Sequence, residues 1–366
     1  MKKIGLLGGS FDPIHKAHIS IALKAIEEFD LDEVQLIPTK NNPWKNQSFV
    51  SCEDRINMIR IAIAEYPKIQ LNTVEIDNTL EELNYTIDTI DFLTQQSPDT
   101  NYYYIVGMDQ ANLFYKWKEA KTLSQKVQLI AFQRDGYERD ESVLESYHFK
   151  ELNNEPIHAS STEIRNGHLH MLDSEVLKYI SHHGLYLETM IKDRMKDKRW
   201  KHTCSVANLA KEIAISNHLD GRQAYVAGML HDVAKEMPYD DSLKIMQESY
   251  AQYVDKPVPI WHQWISAYVA KNEFLIEEQE ILDAIEFHTT GHIPMPKIAK
   301  CVYVADKLDP LRGYDSSKQI EICKEDIDQG FRDALIDFYE FSKKNNRDID
   351  DCFFEIYDYF VVKGEE

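Results

Sequence analysis

A doubly wound α/β domain built on a parallel sheet, followed by an all-α domain, is what this sequence predicts. Three observations carry that expectation. In residues 1–187 short apolar runs alternate with amphipathic stretches of helical period, the rhythm of βαβ units. From residue 188 onward the strand-like runs stop and helical patterns follow one another. Glycines and charged residues stand just past the apolar runs of the first half, where a parallel sheet places its ligands.

The first run, residues 4–7, reads as a strand that feeds Gly8 and Gly9. A helix over 18–29 and a strand over 34–38 follow. Residues 51–66 read as a helix, with Ser51 as N-cap and Asp54 near the capping-box position. A strand over 69–76, a helix over 85–96 and a strand over 102–106 come next, the last ending in Gly107-Met108-Asp109. Residues 127–132 form another strand. A charged stretch at 192–201 lacks Pro and Gly, so it reads as a solvated first helix of the second domain. Helices then fall at 200–217, 221–236, 241–253, near 261–274, 278–288 and 296–308, with two more at the C-terminal end.

The chain has 366 residues and is 43% hydrophobic, enough for two cored domains, placed here at 1–187 and 188–366. Its net charge is −21, and both halves share it. No basic half exists to grip a nucleic-acid backbone. Anionic substrates must be met by local donors or by metal ions. Five cysteines (52, 204, 301, 323, 352) form no CxxC pair, which fits a reduced, cytoplasmic protein without a thiolate metal site. No apolar run approaches a signal-peptide core or a membrane span, so no membrane partner is expected. An oligomer is compatible with all of this.

The chemistry of the first half begins at residues 8–18, GGSFDPIHKAH. Gly8 and Gly9 let backbone approach a polyanion closely. Ser10 and Phe11 complete the loop, and a helix start beyond Pro13 offers unpaired N–H groups. His15 and His18 add donors for a phosphate in flight. The second stretch is Ser160-Ser161-Thr162-Glu163-Ile164-Arg165, hydroxyls at a helix start with a guanidinium one turn in, suited to a di- or triphosphate. Ser160 and Glu163 alone also spell a capping box.

The opening stretch resembles the His-x-Gly-His signature of the nucleotidyltransferase superfamily, with Ala17 at the glycine position. With PTKNNPWK at 38–45, the Tyr85-Thr86 helix start, Gly107-Met108-Asp109, Trp117 and SSTEIR, residues 1–187 resemble bacterial nicotinate-nucleotide adenylyltransferases. Where that family carries Arg-x-Gly-x-Ser, this chain has Leu80-Glu81-Glu82-Leu83-Asn84. The resemblance implies a Rossmann-like sheet and transfer of AMP from ATP to nicotinate mononucleotide, with Mg²⁺ arriving on ATP. It implies His15 and His18 at the phosphates, with His18 on the charge developing at the α-phosphate. Lys45, Ser161 and Arg165 would hold the triphosphate and departing pyrophosphate. Gly107 and Asp109 would meet sugar hydroxyls, and Tyr85, Thr86 and Trp117 would line the pyridine pocket. A nicotinamide mononucleotide or another acceptor is the alternative.

In the second half, polar residues sit in apolar company: His202, His231-Asp232, His262, His288 and Asp306. A carboxylate so placed is costly unless paired or metal-bound. Imidazole and carboxylate ligands from separate helices suit Fe, Mn or Mg. Six such residues suffice for two metals, with Asp232 placed to bridge and an activated water between them as nucleophile. The order resembles the HD-domain phosphohydrolases. His262 and His288, with Thr289-Thr290-Gly291 and Ala305-Asp306-Lys307, place it near those that cleave diadenosine tetraphosphate symmetrically. That resemblance implies two transition metals, iron by preference, a dinucleoside polyphosphate as substrate and ADP as product. Lys235 and Arg312 are expected on the polyphosphate. The alternative makes the helical half a non-catalytic sensing or dimerisation module.

Overall fold

The computed structural model describes every residue except 41–48, 78–84, 347–348, 350 and 365–366. The chain divides into two compact units, Met1–Val176 and Leu177–Glu366. Lys45 and the 80–84 run lie outside the described residues.

The first unit holds a six-stranded sheet of order β3-β2-β1-β4-β5-β6. Its strands are β1 Lys2–Gly9, β2 Glu33–Pro38, β3 Ile69–Leu71, β4 Thr100–Gly107, β5 Gln128–Arg134 and β6 Lys150–Ile157. Every pairing is parallel. Leu6, Leu36, Ile105 and Ile130 are fully buried. Burying each such side chain contributes about 1.5–3 kcal/mol, so the central strands carry the unit. Strand order reverses between β1 and β4, where Leu7 faces Ile105 in the ladder. The crevice past the carboxyl ends of these strands is the switch point of a doubly wound sheet.

Three differences from the expected elements have physical causes. β1 runs through Gly8 and Gly9, so both glycines sit at the strand's end rather than after it. The strand expected over 69–76 stops at Leu71, because Asn72 Oδ1 accepts the Val74 N–H at 3.0 Å and starts a helical turn, Val74–Asp77. β6 was not expected at all. Its sequence, KELNNEPI, is polar because it is an edge strand paired only with β5.

The second unit is helical. Asp197–Ser216 packs on Gly221–Leu230. A Cβ at Gly228 would stand 2.6 Å from the Ala207 Cα, so only glycine permits this approach. The latter helix ends at Leu230, not near 236, and His231 and Asp232 leave its C-terminal end. His262–Asn272, Gln279–Phe287 and Lys297–Leu308 follow. Beyond them, among the described residues, come Ser317–Glu325, Ile327–Lys344 and Asp351–Tyr357, one more helix than expected. Among the described residues no helix is long and apolar enough to cross a membrane.

Candidate active sites

At the carboxyl end of β1 the chain turns through Phe11 (φ 46°) into the helix Lys16–Phe29, with His15 as its N-cap. A Cβ at Gly8 would stand 2.8 Å from the Tyr104 hydroxyl, which packs beneath the loop. The His15 backbone N–H donates to His18 Nδ1 at 3.2 Å. That contact fixes the neutral His18 tautomer: Nδ1 accepts, so the proton resides on Nε2 and is free to donate. The two imidazoles lie 3.7 Å apart, tilted by 30°. Burial, then the charge of Arg134, pushes His15 down to about 4. Burial, His15 and Arg134 hold His18 well below its ordinary value. Both rings are therefore neutral at pH 7. His15 Nδ1 is buried with no hydrogen-bond partner among the described residues.

The second stretch docks onto the first. Arg165, buried, donates through Nη1 to the Asp12 carbonyl and through Nη2 to Thr162 Oγ1 at 3.1 Å. Ser161 Oγ donates to the Pro13 carbonyl at 2.9 Å. Ser160 makes the capping box, accepting the Glu163 N–H at 3.2 Å and donating to its carboxylate at 2.9 Å. Ser161 and Arg165 thus fasten one loop to the other, while Ser160 and Thr162 bond within their own segment. Arg165 also lies 4.2 Å from the Phe49 ring centroid.

Gly107 ends β4 and caps the turn Met108–Ala111. Asp109 Oδ2 pairs with Arg134 at 3.0 Å, while its buried Oδ1 has no hydrogen-bond partner among the described residues. Tyr85, half-exposed, has the Lys118 ammonium 4.5 Å from its ring. Thr86 Oγ1 stands 3.5 Å from the Tyr104 hydroxyl, and Trp117 packs edge-on to Tyr104 at 6.0 Å. Two functional neighbours escaped the sequence reading. Arg134 ends β5, a position that the strand-end rule could have flagged. Arg55, fully buried on the helix Cys52–Ile63, donates to the Ser10 carbonyl at 2.7 Å and holds the glycine loop from behind. Its signal is a guanidinium on a helix face shared with Met58 and Ile59.

In the helical unit all six expected residues converge. His202 Nε2 is 3.1 Å from Asp306 Oδ1. Asp232 lies 3.4 Å from His231 Nε2, 3.3 Å from His262 Nε2 and 3.8 Å from His288 Nε2. Each imidazole turns its other nitrogen to an acceptor. His231 Nδ1 meets the Gly228 carbonyl at 2.6 Å, His288 Nδ1 that of Ile285 at 2.6 Å, and His262 Nδ1 that of Pro259 at 3.0 Å. His202 Nδ1 meets the Asp309 carboxylate at 2.6 Å. Placing the proton on Nδ1 leaves four Nε2 lone pairs aimed inward, the tautomer of a metal-binding histidine with its outer partner.

The donor set fits divalent cations. His231 Nε2 is buried without a hydrogen-bond partner among the described residues, and His262 and His288 bring their Nε2 atoms within 3.1 Å of each other. Two ligand groups emerge, His202-His231-Asp232 and Asp232-His262-His288, with Asp232 in both. Burial pushes His262 down to about 3 and holds His288 well below its usual value. Burial opposes charge on Asp232, but the surrounding imidazoles prevail and keep it ionised. Cations crowd the rim. Arg199 pairs with Asp232 at 2.7 Å, Lys307 and Arg312 with Asp306 at 3.0 and 2.5 Å, and Lys235 Nζ lies 2.9 Å from His262 Nδ1. Arg199 and Asp309 were not picked out from sequence, although Asp309 stands one turn from Asp306.

A parallel sheet with paired histidines at its switch point, joined to helices that focus four imidazoles and two carboxylates, defines a nucleotidyltransferase linked to an HD domain. A profile described as Cytidylyltransferase-like matches residues 6–181, and one described as HD domain matches 199–311. A Mycoplasma genitalium protein named "Probable nicotinate-nucleotide adenylyltransferase/Ap4A hydrolase" is 30% identical over 341 residues, 90% of this chain and 96% of that one. A Bordetella avium "Probable nicotinate-nucleotide adenylyltransferase" is 38% identical over 200 residues, 51% of this chain and 98% of that one. Among solved structures, Plasmodium falciparum nicotinic acid mononucleotide adenylyltransferase complexed with NaAD superposes with a TM-score of 0.45 at 23% identity, covering 51% of this chain and 98% of that one. The chain belongs to the nicotinate-nucleotide adenylyltransferase/Ap4A hydrolase family, and it is an enzyme.

Proposed function

We propose that residues 1–187 transfer AMP from ATP, carried with Mg²⁺, to nicotinate mononucleotide, and that residues 188–366 hydrolyse diadenosine tetraphosphate or a close relative to ADP. The observation that supports the first half best is the neutral His18, whose Nε2–H is oriented by the His15 backbone. The acceptor's 5′-phosphate oxygen attacks the α-phosphorus of ATP. One P–O bond forms, the bond to the β-phosphate breaks, and pyrophosphate leaves. The nucleophile is already ionised, so no general base is needed, and catalysis is positioning plus charge stabilisation. His18 and His15 donate to the α-phosphate. Gly8, Gly9, Ser10 and Phe11 form the loop beneath it, and Arg165 and Lys45 hold the triphosphate, with Thr162 accepting from Arg165 while Ser160 caps the helix that carries it and Ser161 ties that helix to the loop. The unpaired Asp109 Oδ1 accepts from a sugar hydroxyl beside Gly107. Tyr85, Thr86 and Trp117 line the base pocket.

In the helical half, His202, His231, Asp232 and Asp306 would hold one metal ion, and Asp232, His262 and His288 the other. Iron or manganese there supplies Lewis-acid charge and activated water when bound. Water oxygen adds to a phosphorus, the central P–O–P bridge opens, and two ADP result. Lys235 and Arg312 meet the polyphosphate from opposite ends of the cluster. The scattered cysteines favour a cytoplasmic setting for both activities.

Pyrophosphate release measured across acceptors tests the first half: turnover with nicotinate mononucleotide is expected. Turnover only with the nicotinamide form or with another phosphate acceptor overturns the assignment. Product analysis with diadenosine tetraphosphate and added Fe or Mn tests the second half. A protein that gains no hydrolysis from either metal favours a sensing module instead.

A pH prediction follows from the two depressed histidines. Folding favours their neutral forms, so the stability they contribute is present above pH 6.5 and is lost as pH falls through about 4, the value at His15. A bound triphosphate favours protonation of His15, whose Nδ1 has no hydrogen-bond partner among the described residues, whereas His18 Nδ1 is engaged as an acceptor. ATP binding should therefore take up protons between pH 7 and 5 and tighten as pH falls. Calorimetry in buffers of differing ionisation enthalpy reads this directly, and the uptake should shrink in His15→Ala.

A further inference from the structure

The loop that closes the helix Lys297–Leu308 places apolar surface beside a highly charged cluster. Tyr314 is 50% exposed and Leu311 59% exposed. The ring is nevertheless held: its hydroxyl donates to the Lys307 carbonyl. Lys307 is the neighbour of Asp306 in sequence and pairs with it at 3.0 Å, so Tyr314 stands at the edge of the His/Asp cluster. Gly313 turns at φ 86°, and a Cβ there would meet nothing within 4 Å.

The same loop is fastened to a metal-binding histidine. Asp309 bonds His202 Nδ1 at 2.6 Å with one oxygen. Its other oxygen accepts from Ser205 Oγ at 2.6 Å and from the Leu311 N–H at 3.1 Å. Arg312 grips the Asp306 carbonyl through Nε at 2.6 Å. These bonds hold the loop in a fixed pose while its apolar side chains stay half exposed. An aromatic ring pinned at its tip and half exposed to solvent can serve as a stacking surface. Arg312, two residues before it, pairs with Asp306 of the cluster, and the proposed function places it on the polyphosphate.

We propose that Tyr314, with Leu311 on the same turn, is the nucleobase platform of the helical site. It takes a purine ring of the nucleotide whose phosphates lie over the His/Asp cluster. This rests on the hydrolase reading above and adds the base-binding half of the substrate to it. Stacking uses the π-face common to all bases, so the platform gives affinity for nucleotides over bare polyphosphate.

The test compares the full-length, metal-loaded protein with Tyr314→Ala and Tyr314→Phe on two substrates, diadenosine tetraphosphate and inorganic tetrapolyphosphate. Tyr314→Ala is expected to raise KM for the dinucleotide about tenfold or more, with kcat little changed. Its kinetics on tetrapolyphosphate should match wild type, and Tyr314→Phe should restore the dinucleotide KM. Equal loss on both substrates assigns the residue a structural role and overturns the platform. So does a Phe variant as impaired as Ala, or an Ala variant with unchanged dinucleotide KM. If wild type cleaves tetrapolyphosphate but not the dinucleotide, the substrate reading fails by itself. The platform then stands or falls on competitive inhibition, where ADP must outbind pyrophosphate in wild type and lose that advantage in Tyr314→Ala. Failure of wild type on both substrates removes the reading and the platform together.

Discussion

Replacing His18 with alanine should cut adenylyl transfer by about 10²–10³-fold, roughly 3–4 kcal/mol of transition-state stabilisation, and leave dinucleotide hydrolysis unchanged. The loss has two sources that can be separated. In the proposed mechanism His18 Nε2–H is the preorganised donor at the α-phosphate. His18 Nδ1 also accepts the His15 N–H, so alanine removes part of the helix cap, a cost of about 1 kcal/mol in stability. Asparagine restores an acceptor near the Nδ1 position but does not reach the phosphate. Glutamine reaches it with an amide donor but serves the cap poorly. If the donor matters, His18→Asn stays slow while its thermal stability recovers, and His18→Gln regains part of the rate. Wild-type synthesis by His18→Ala would remove this residue from the chemistry. Loss of hydrolysis along with synthesis, with the fold intact, would argue against two independent sites.

The parts of the fold legible in sequence are those where one residue type answers one physical need. Apolar runs of strand length marked β1, β2, β4 and β5, and the glycines at their ends marked the switch-point crevice. The six clustered residues of the helical half stood out because histidines and aspartates interrupt apolar helix faces, a pattern with few alternative causes. What stayed hidden depends on partners far along the chain. β6 is polar because only one side of it is paired. Arg55 reads as an ordinary helix cation until its carbonyl partner, Ser10, is seen across the sheet end. Tyr104 looks like any strand aromatic until its hydroxyl is found under Gly8. Asp309 follows a helix like a loop acid, yet it orients His202. The hydroxyls at 160–162 illustrate the limit from the other side. Their motif suggested phosphate contacts, whereas the structure engages Ser160 with Glu163 and Ser161 with Pro13. A helix start rich in hydroxyls can serve its own cap and a neighbouring loop before it serves a ligand.

Removing Asp232 should have the opposite outcome to removing His18: hydrolysis lost by about 10³-fold or more, and adenylyl transfer retained. Asp232 is the carboxylate common to both ligand groups. It faces three imidazoles and pairs with Arg199 at 2.7 Å, all at a site only 3% exposed to solvent at Asp232 itself. Alanine therefore deletes the carboxylate common to both groups and also leaves the Arg199 guanidinium, itself partly exposed, without its counter-charge. Asp232→Asn is the more informative variant, because its amide keeps the volume while losing the charge that holds two cations together. Metal content per chain, measured by elemental analysis after purification in the presence of iron or manganese, should fall well below that of wild type in Asp232→Asn. His202→Gln touches only one ligand group and should lower it less. An asparagine variant with full metal content and full hydrolysis would mean that the two groups do not share Asp232, and the cluster would have to be rebuilt around Asp306.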